Sequence, residues 1–521
     1  MSLTGKIYHQ RGEHVMTQGV LPFKEQGEKK EGGKTALAGL PTYLDLAHVA
    51  GLRDSIRRHL RVREGEQGWT DVQVILSLVL LNLAGGDCVD DLRILEGDEG
   101  FCRVLERVET YGMRRRGRRE LERRWRRERR RAVPSPSSVF RYLSWFHDRE
   151  EEGNREPHRA YIPKRNVYLE GLGLVSRDLV GFIQSRSAEA VATLDIDATL
   201  VETNKREALW SYKGYRAYQP LTVYWVEQDL VVHSEFRDGN VPAAYEKLRV
   251  FKEALDGLPE GVEKVYLRAD TAGYQHDLLK YCAEGKDERF GVIEFSIGVD
   301  VTAEFKKAVS EIDDADWQPL RRWVDGNWKD TGQEWAELCF VPNWVGHSKK
   351  GPDYRYLAIR EPLVQLEFSG MEAELPFPTM EFSENGKHKL FGLVSNRTIP
   401  GDDLIWWHRA RCGKGEEAHS VMKEDLCGGK LPSGRFGENA AWWAIMVLAF
   451  NLNSAMKRLV LGGSWTKKRL KAIRFSLIHL AGRVMERSRQ LIVRLAGSHP
   501  STDILFDARR RILALAHGPP G

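Results

Sequence analysis

The sequence predicts an α/β protein built on a mixed sheet, with helical regions before and after it. Three observations carry this. β-Branched or alternating apolar runs cover 191–197, 220–226, 229–237, 262–269 and 289–297, with helical patterns at 241–256 and 275–284 between them. Strand, strand, strand, helix, strand, helix, strand is a mixed α/β order. The 521 residues are 42% hydrophobic and 29% charged, a globular balance with room for several packed units.

Residues 1–40 are rich in Gly, Lys, Glu and Gln with little periodicity and read as a flexible arm. From 41 to 150 the chain reads as helical. Leu44, Leu46, Val49, Leu52, Ile56 and Leu60 recur at helical spacing, and Thr70-Asp71 offers an N-cap before the apolar run 72–84. Further helices are expected over Val89–Leu95 and around Gly100–Val108.

Net charge is only +5, yet twelve arginines fall between Arg114 and Arg131 against Glu120, Glu122 and Glu128. A charge run is often a solvated face. Here the acids are too few to pair Arg114, Arg115, Arg116, Arg118, Arg119, Arg123, Arg124, Arg126 and Arg127, which points to a polyanion such as nucleic acid. After Pro134 and Pro136, Ser137 is expected to cap a short amphipathic helix with Val139, Phe140, Leu143 and Phe146 inward. It suits the second helix of a helix-turn-helix unit or an ordinary amphipathic helix; Ser137, Ser138 and Arg141 would face a groove in the first case.

The mixed α/β part begins at 165–299. The aromatic-rich span 300–387 (Trp317, Trp323, Trp328, Trp335, Trp344, Tyr354, Tyr356) is too long for a loop and reads as a β-rich insertion. Residues 388–460 return to the core with strand 390–396 and a helix, and 461–521 read as an arginine-rich helical region. The apolar runs from Val72 and Ala440 fall short of the ~18–20 residues of a membrane span and read as buried helices. The six cysteines show no metal or disulfide spacing, which fits reduced thiols and an intracellular protein.

Asp195 and Asp197 lie two apart in LDIDATL and share a strand face, although aspartate is disfavoured in strands. Asp270 ends the strand-like VYLRAD and could equally cap the helix that follows. Glu416 and Glu417 are adjacent on an expected helix, so one of them can face a site, and Lys423 lies two turns after Glu416. Two strand aspartates and a helical glutamate suit metal-dependent phosphoryl transfer, where two cations about 3.5–4 Å apart need shared carboxylate oxygens. Lys213 and Arg216, interleaved with Tyr212, Tyr215 and Tyr218, suit DNA-end binding or a surface hairpin. No GxxxxGK[ST] is present.

These motifs, in this order, resemble the DDE transposases of bacterial insertion sequences, of the 1380 type, related to the group with a Tyr-Arg-Glu-Lys signature. The resemblance implies an RNase H-like core at 165–299 and 388–460, with 300–387 inserted. Its Asp-x-Thr step selects Asp197 with Thr199 and leaves Asp195 as a supporting group or a neighbour of the second metal. Its second aspartate falls on Asp270, and its Glu-x6-Lys tail selects Glu416 and Lys423, the lysine on a DNA phosphate. The signature's tyrosine and arginine positions hold Arg409 and Cys412 here. Arg411, one residue away, is placed to take over from the arginine, and the tyrosine is absent.

The resemblance also implies two Mg²⁺ ions, replaceable by Mn²⁺, held by Asp197, Asp270 and Glu416. The partners would be double-stranded DNA (terminal inverted repeats and target) and a second copy in a synaptic dimer. The expected activity is cut-and-paste transposition, with hairpinned ends as one route, in the bacterial cytoplasm at the nucleoid. The competing expectations are a non-catalytic repressor or architectural protein and a structure-selective nuclease.

Overall fold

The computed structural model describes residues 16–18, 24–26, 32–63, 65, 67–340, 354–363, 377–382 and 386–516. Most of the arm expected over 1–40, and Trp344, therefore lie outside the described residues. Residues 32–40 depart from the flexible reading: Lys34–Thr35 adds a strand to a C-terminal hairpin, and Leu37 and Leu40 are buried.

The N-terminal helices are α1 (Pro41–Val49), α2 (Leu52–His59), α3 (Asp71–Ala84), α4 (Glu99–Glu109), α5 (Arg115–Arg123) and α6 (Pro136–Leu143). Thr70 begins α3 with a capping box: its hydroxyl accepts from the Gln73 amide, and the Gln73 side chain accepts from the Thr70 amide. The α3 run is buried on every side, as its continuous apolar sequence requires. Ser135, not Ser137, caps α6, because Pro136 then takes the first helical position where no amide is needed. Tyr142 is buried in α6 and Phe140 is exposed, the reverse of the expected facing for Phe140. The irregular stretch Arg124–Ser135 separates α5 from α6, so the short turn of a helix-turn-helix is not formed.

Helix α7 (Val167–Arg186) leads into a ten-stranded mixed sheet. Its strands are β1 (Val191–Ala198), β2 (Leu221–Trp225), β3 (Leu230–Glu235), β4 (Lys264–Ala269), β5 (Glu294–Val299), β6 (Gln318–Val324), β7 (Asn327–Leu338), β8 (Arg355–Pro362), β9 (Thr379–Phe382) and β10 (Gly386–Ser395). The order is β6-β7-β8-β10-β5-β4-β1-β2-β3, with β9 on β10. β1, β4 and β5 run parallel, and the other neighbours are antiparallel. Helices α8 (Lys247–Gly257) and α9 (His276–Ala283) supply the crossovers around β4. The strands of 300–387 continue the main sheet through β8–β10 pairing.

Helix α10 (Gly401–Ser420) crosses this sheet. Its start packs Leu404 and Ile405 on Leu320, Trp335, Leu357 and Leu393 of the extension strands. Gly401 is required there, since a Cβ would fall 2.2 Å from the Trp335 ring. Further along, α10 lies against β1, β4 and β5.

Helix α11 (Phe436–Ala455) is buried along nearly its whole length and packs on α3, α7 and β3. Asn451 accepts from the Val231 amide and donates to its carbonyl, both at 2.9 Å, which satisfies the edge of β3. Contrary to the sequence reading, Phe436–Leu461 is long and apolar enough to cross a membrane by length and composition. With 72% of that window buried inside the protein, it has the environment of a core helix.

The region 461–521 is not wholly helical. Gly482–Arg487 and Gln490–Leu495 form a hairpin before α12 (Pro500–Ala516). Ser488 and Arg489 turn it with φ of +52° and +64°, as a two-residue turn of the primed type requires. The alternation in RVMERSRQLIVRL, rather than its arginine content, was the informative signal.

Candidate active site

Strands β1 and β4 are parallel neighbours in the register Asp195 to Arg268 and Ile196 to Ala269. Asp197 therefore sits beside Asp270 at the same end of the sheet. Gly298 on β5 permits the tight backbone there, since a Cβ would lie 3.1 Å from the Thr271 amide. Asp270 begins the turn Thr271–Gly273, but its side chain makes no cap bond. Its Oδ1 instead accepts from Lys247 Nζ at 3.1 Å, and Lys247 is completely buried.

Asp197 is held from the other side. Its Oδ2 lies 3.5 Å from Arg411 Nη1 and 3.8 Å from His419 Nδ1, and its Oδ1 accepts from the Ala198 amide. Burial first, then the charge of Asp270, pushes the Asp197 carboxyl up to about 6 against the pull of Arg411 and Lys247. Asp300, just past β5, is also raised by burial and by Asp270. Three consecutive parallel strands thus each end in an aspartate.

Asp195 is taken up elsewhere. Arg268 grips both its oxygens at 2.6 and 2.8 Å and donates to the Trp407 carbonyl, tying β1 and β4 to α10. Both side chains are buried. Thr199 is buried, and its amide donates to the Pro220 carbonyl.

Helix α10 turns Arg411 and His419 toward Asp197. Gly415 lies between them on that face, and a Cβ there would meet nothing within 4 Å, so the space is open. Glu416, one residue on, is rotated by about 100° from that face and is exposed. Lys423 sits in a π-helical turn, Val421–Asp425, whose wider winding breaks the register with Glu416 that an uninterrupted helix would give. The structure brings Asp197 and Asp270 together and does not bring Glu416 to them. Among the described residues no group of three or more His, Cys, Asp or Glu could hold a metal ion.

The other candidates are dispersed. Arg409 stacks on Trp406 at 5.2 Å. Lys213 is exposed over Tyr212, whereas Arg216 donates to the Ala208 carbonyl and Tyr218 is buried in the core, unavailable for stacking on bases. Ser137 and Arg141 are exposed, and Ser138 is half-buried. Arg114, Arg115, Arg116, Arg118, Arg119, Arg123, Arg126 and Arg127 are exposed, with Arg116 on Glu120. Arg124 departs from the set, donating to the Gly65 and Gly68 carbonyls. Arg129 stacks on Trp69 and pairs with Glu109 at 2.7 Å. Lys247, His419 and Asp300 were not singled out from sequence. Only Asp300, an aspartate directly after a strand as Asp270 is, had a signal that could have found it.

The profile of the family described as Transposase DDE domain group 1 matches residues 29–517. The chain belongs to the DDE transposase family. No curated protein matches it. A cryo-EM structure of the piggyBac transposase synaptic complex with hairpin DNA is similar at 12% identity, over 86% of this chain and 83% of that one, with a TM-score of 0.41. Families of this kind use divalent metal ions, and this transposase offers two carboxylates that fit one. Asp197 and Asp270 supply only hard oxygen donors. The mutual repulsion that raises Asp197 is what a cation between them would offset, and the Gly415 face leaves room beside them.

Proposed function

We propose that this transposase binds the terminal inverted repeats of its own element, cuts there and joins the freed ends to target DNA by a cut-and-paste route. The observation that carries the reading is the Asp197–Asp270 pair at the ends of adjacent parallel strands, in a chain matched by a DDE family over 29–517. The strand order β3-β2-β1-β4-β5, with β2 alone antiparallel to the other four, supports an RNase H-like core.

In this reading Asp197 and Asp270 hold a divalent ion, Mg²⁺ or Mn²⁺, which when bound supplies Lewis-acid stabilisation of the reacting phosphate. Lys247 orients Asp270, and Arg268 with Asp195 fixes α10 over the strand ends. Glu416, the third carboxylate of the reading, is exposed on the neighbouring face of α10. Lys423, Arg409 and the exposed arginines of 114–127 contact phosphates. Two ends are synapsed by a dimer.

The test uses purified protein, a donor carrying two ends from the DNA flanking its gene, a target plasmid and Mg²⁺. Joined products are expected, with Mn²⁺ substituting and Ca²⁺ supporting binding without chemistry. Cutting without joining would instead mean a nuclease, and tight end binding with neither step a repressor.

A further inference from the structure

Three basic side chains approach the Asp197–Asp270 pair: Lys247 from the start of α8, and Arg411 and His419 from α10. They differ in how they are held. Lys247 is wholly buried, with its ammonium 3.1 Å from Asp270 and its backbone entering α8 directly after Glu246, which has φ of +49°. A lysine so enclosed has no solvent to withdraw into. His419 stands further off, its Nδ1 3.8 Å from Asp197 Oδ2. Arg411 is held loosely: its nearest nitrogen is 3.5 Å from Asp197, and its buried Nε has no hydrogen-bond partner among the described residues.

Lys247 and Arg411 set two positive charges against the two carboxylates. A divalent cation on Asp197 would compete with the Arg411 guanidinium for the carboxylate's lone pairs and repel its positive charge. We propose that Arg411 and a divalent cation exclude each other at Asp197, while Lys247 stays on Asp270. Metal loading then releases Arg411, whose freed guanidinium is suited to a phosphate of the bound strand. Metal capture and strand grip are coupled through one side chain. The proposal rests on the reading of Asp197 and Asp270 as the metal-holding pair.

The experiment titrates Mn²⁺ into the full chain without DNA and follows free Mn²⁺ by electron paramagnetic resonance. Arg411→Gln is expected to bind about tenfold more tightly than wild type, and Arg411→Lys, which keeps the charge, to lie between them. Adding Asp197→Asn should erase the gain. If binding depends on Asp197 but is equal or weaker in Arg411→Gln with unchanged circular dichroism, the exchange is overturned and the metal reading stands. If neither wild type nor Arg411→Gln binds Mn²⁺, both are overturned.

Discussion

On the proposed function, Asp197 is the residue on which the chemistry and the stability of this protein pull in opposite directions. Its carboxyl is raised to about 6 by burial and by the neighbouring charge of Asp270. The folded state therefore holds the proton more tightly than the unfolded state between about pH 4 and about pH 6. Stability conferred by this group is greatest below that window and falls as pH rises through it, a loss of roughly 3 kcal/mol once the carboxylate is fully charged. In metal-free buffer, Asp197→Asn is expected to be more stable than wild type to urea at pH 7.5, with the two converging near pH 4. Equal stability at both pH values would show that the charge carries no strain. Asp197 and Asp270 were legible because aspartates at strand ends are conspicuous. Lys247 was not, since a lysine at the start of an amphipathic helix looks like any solvated one until the fold encloses it.

At the scale of elements, the arginine run divides into two populations. Replacing Arg114, Arg115, Arg118 and Arg119 with Gln should weaken binding to all DNA and flatten the salt dependence by ~0.9 in log–log slope per lost phosphate contact. An unchanged slope would make α5 a solvated face only. Arg129→Ala should act on folding instead, costing roughly 3 kcal/mol in denaturant titration, because it strands the largely buried Glu109 and removes the stack on Trp69. A loss of less than about 0.5 kcal/mol, as for an ordinary surface substitution, would place Arg129 with the exposed group. Composition could not separate the two populations, since the difference lies in which arginine meets Trp69 and Glu109. The β1 to β5 block was legible from its apolar and β-branched runs, and α10 as the helix expected after the strand 390–396. The hairpin at 482–495 was obscured by its arginines, and the Glu416–Lys423 alignment by a π-turn that no spacing rule reveals.

Over the whole molecule, the helical N-terminal part and the segment that follows α10 are joined by buried polar contacts as well as by α11. Arg474 donates to the Leu83 carbonyl at 2.7 Å and the Asn82 carbonyl at 2.5 Å at the end of α3, and also to the Asp425 carbonyl after Lys423. Arg474→Ala removes a donor from each of these carbonyls, of which Asn82 keeps the Gly85 amide at 3.2 Å, and is expected to cost roughly 3 kcal/mol. Hydrogen exchange should then show protection lost together near the end of α3 and at 421–426; loss at only one of them would mean that the two segments are not coupled. Long-range pairing of this kind was invisible in the sequence. The same holds for β6 to β10 extending the central sheet, since nothing local marks which strand β8 will meet. On the proposed function, the Asp197–Asp270 pair is the chemical centre of a DNA-joining enzyme. Cleavage of a donor end by wild type, Asp197→Asn and Asp270→Asn in Mg²⁺, with end binding measured on the same preparations, tests it most directly. The expected result is cleavage lost by at least about a hundredfold in each variant with end binding retained; near wild-type cleavage by either variant would contradict the account.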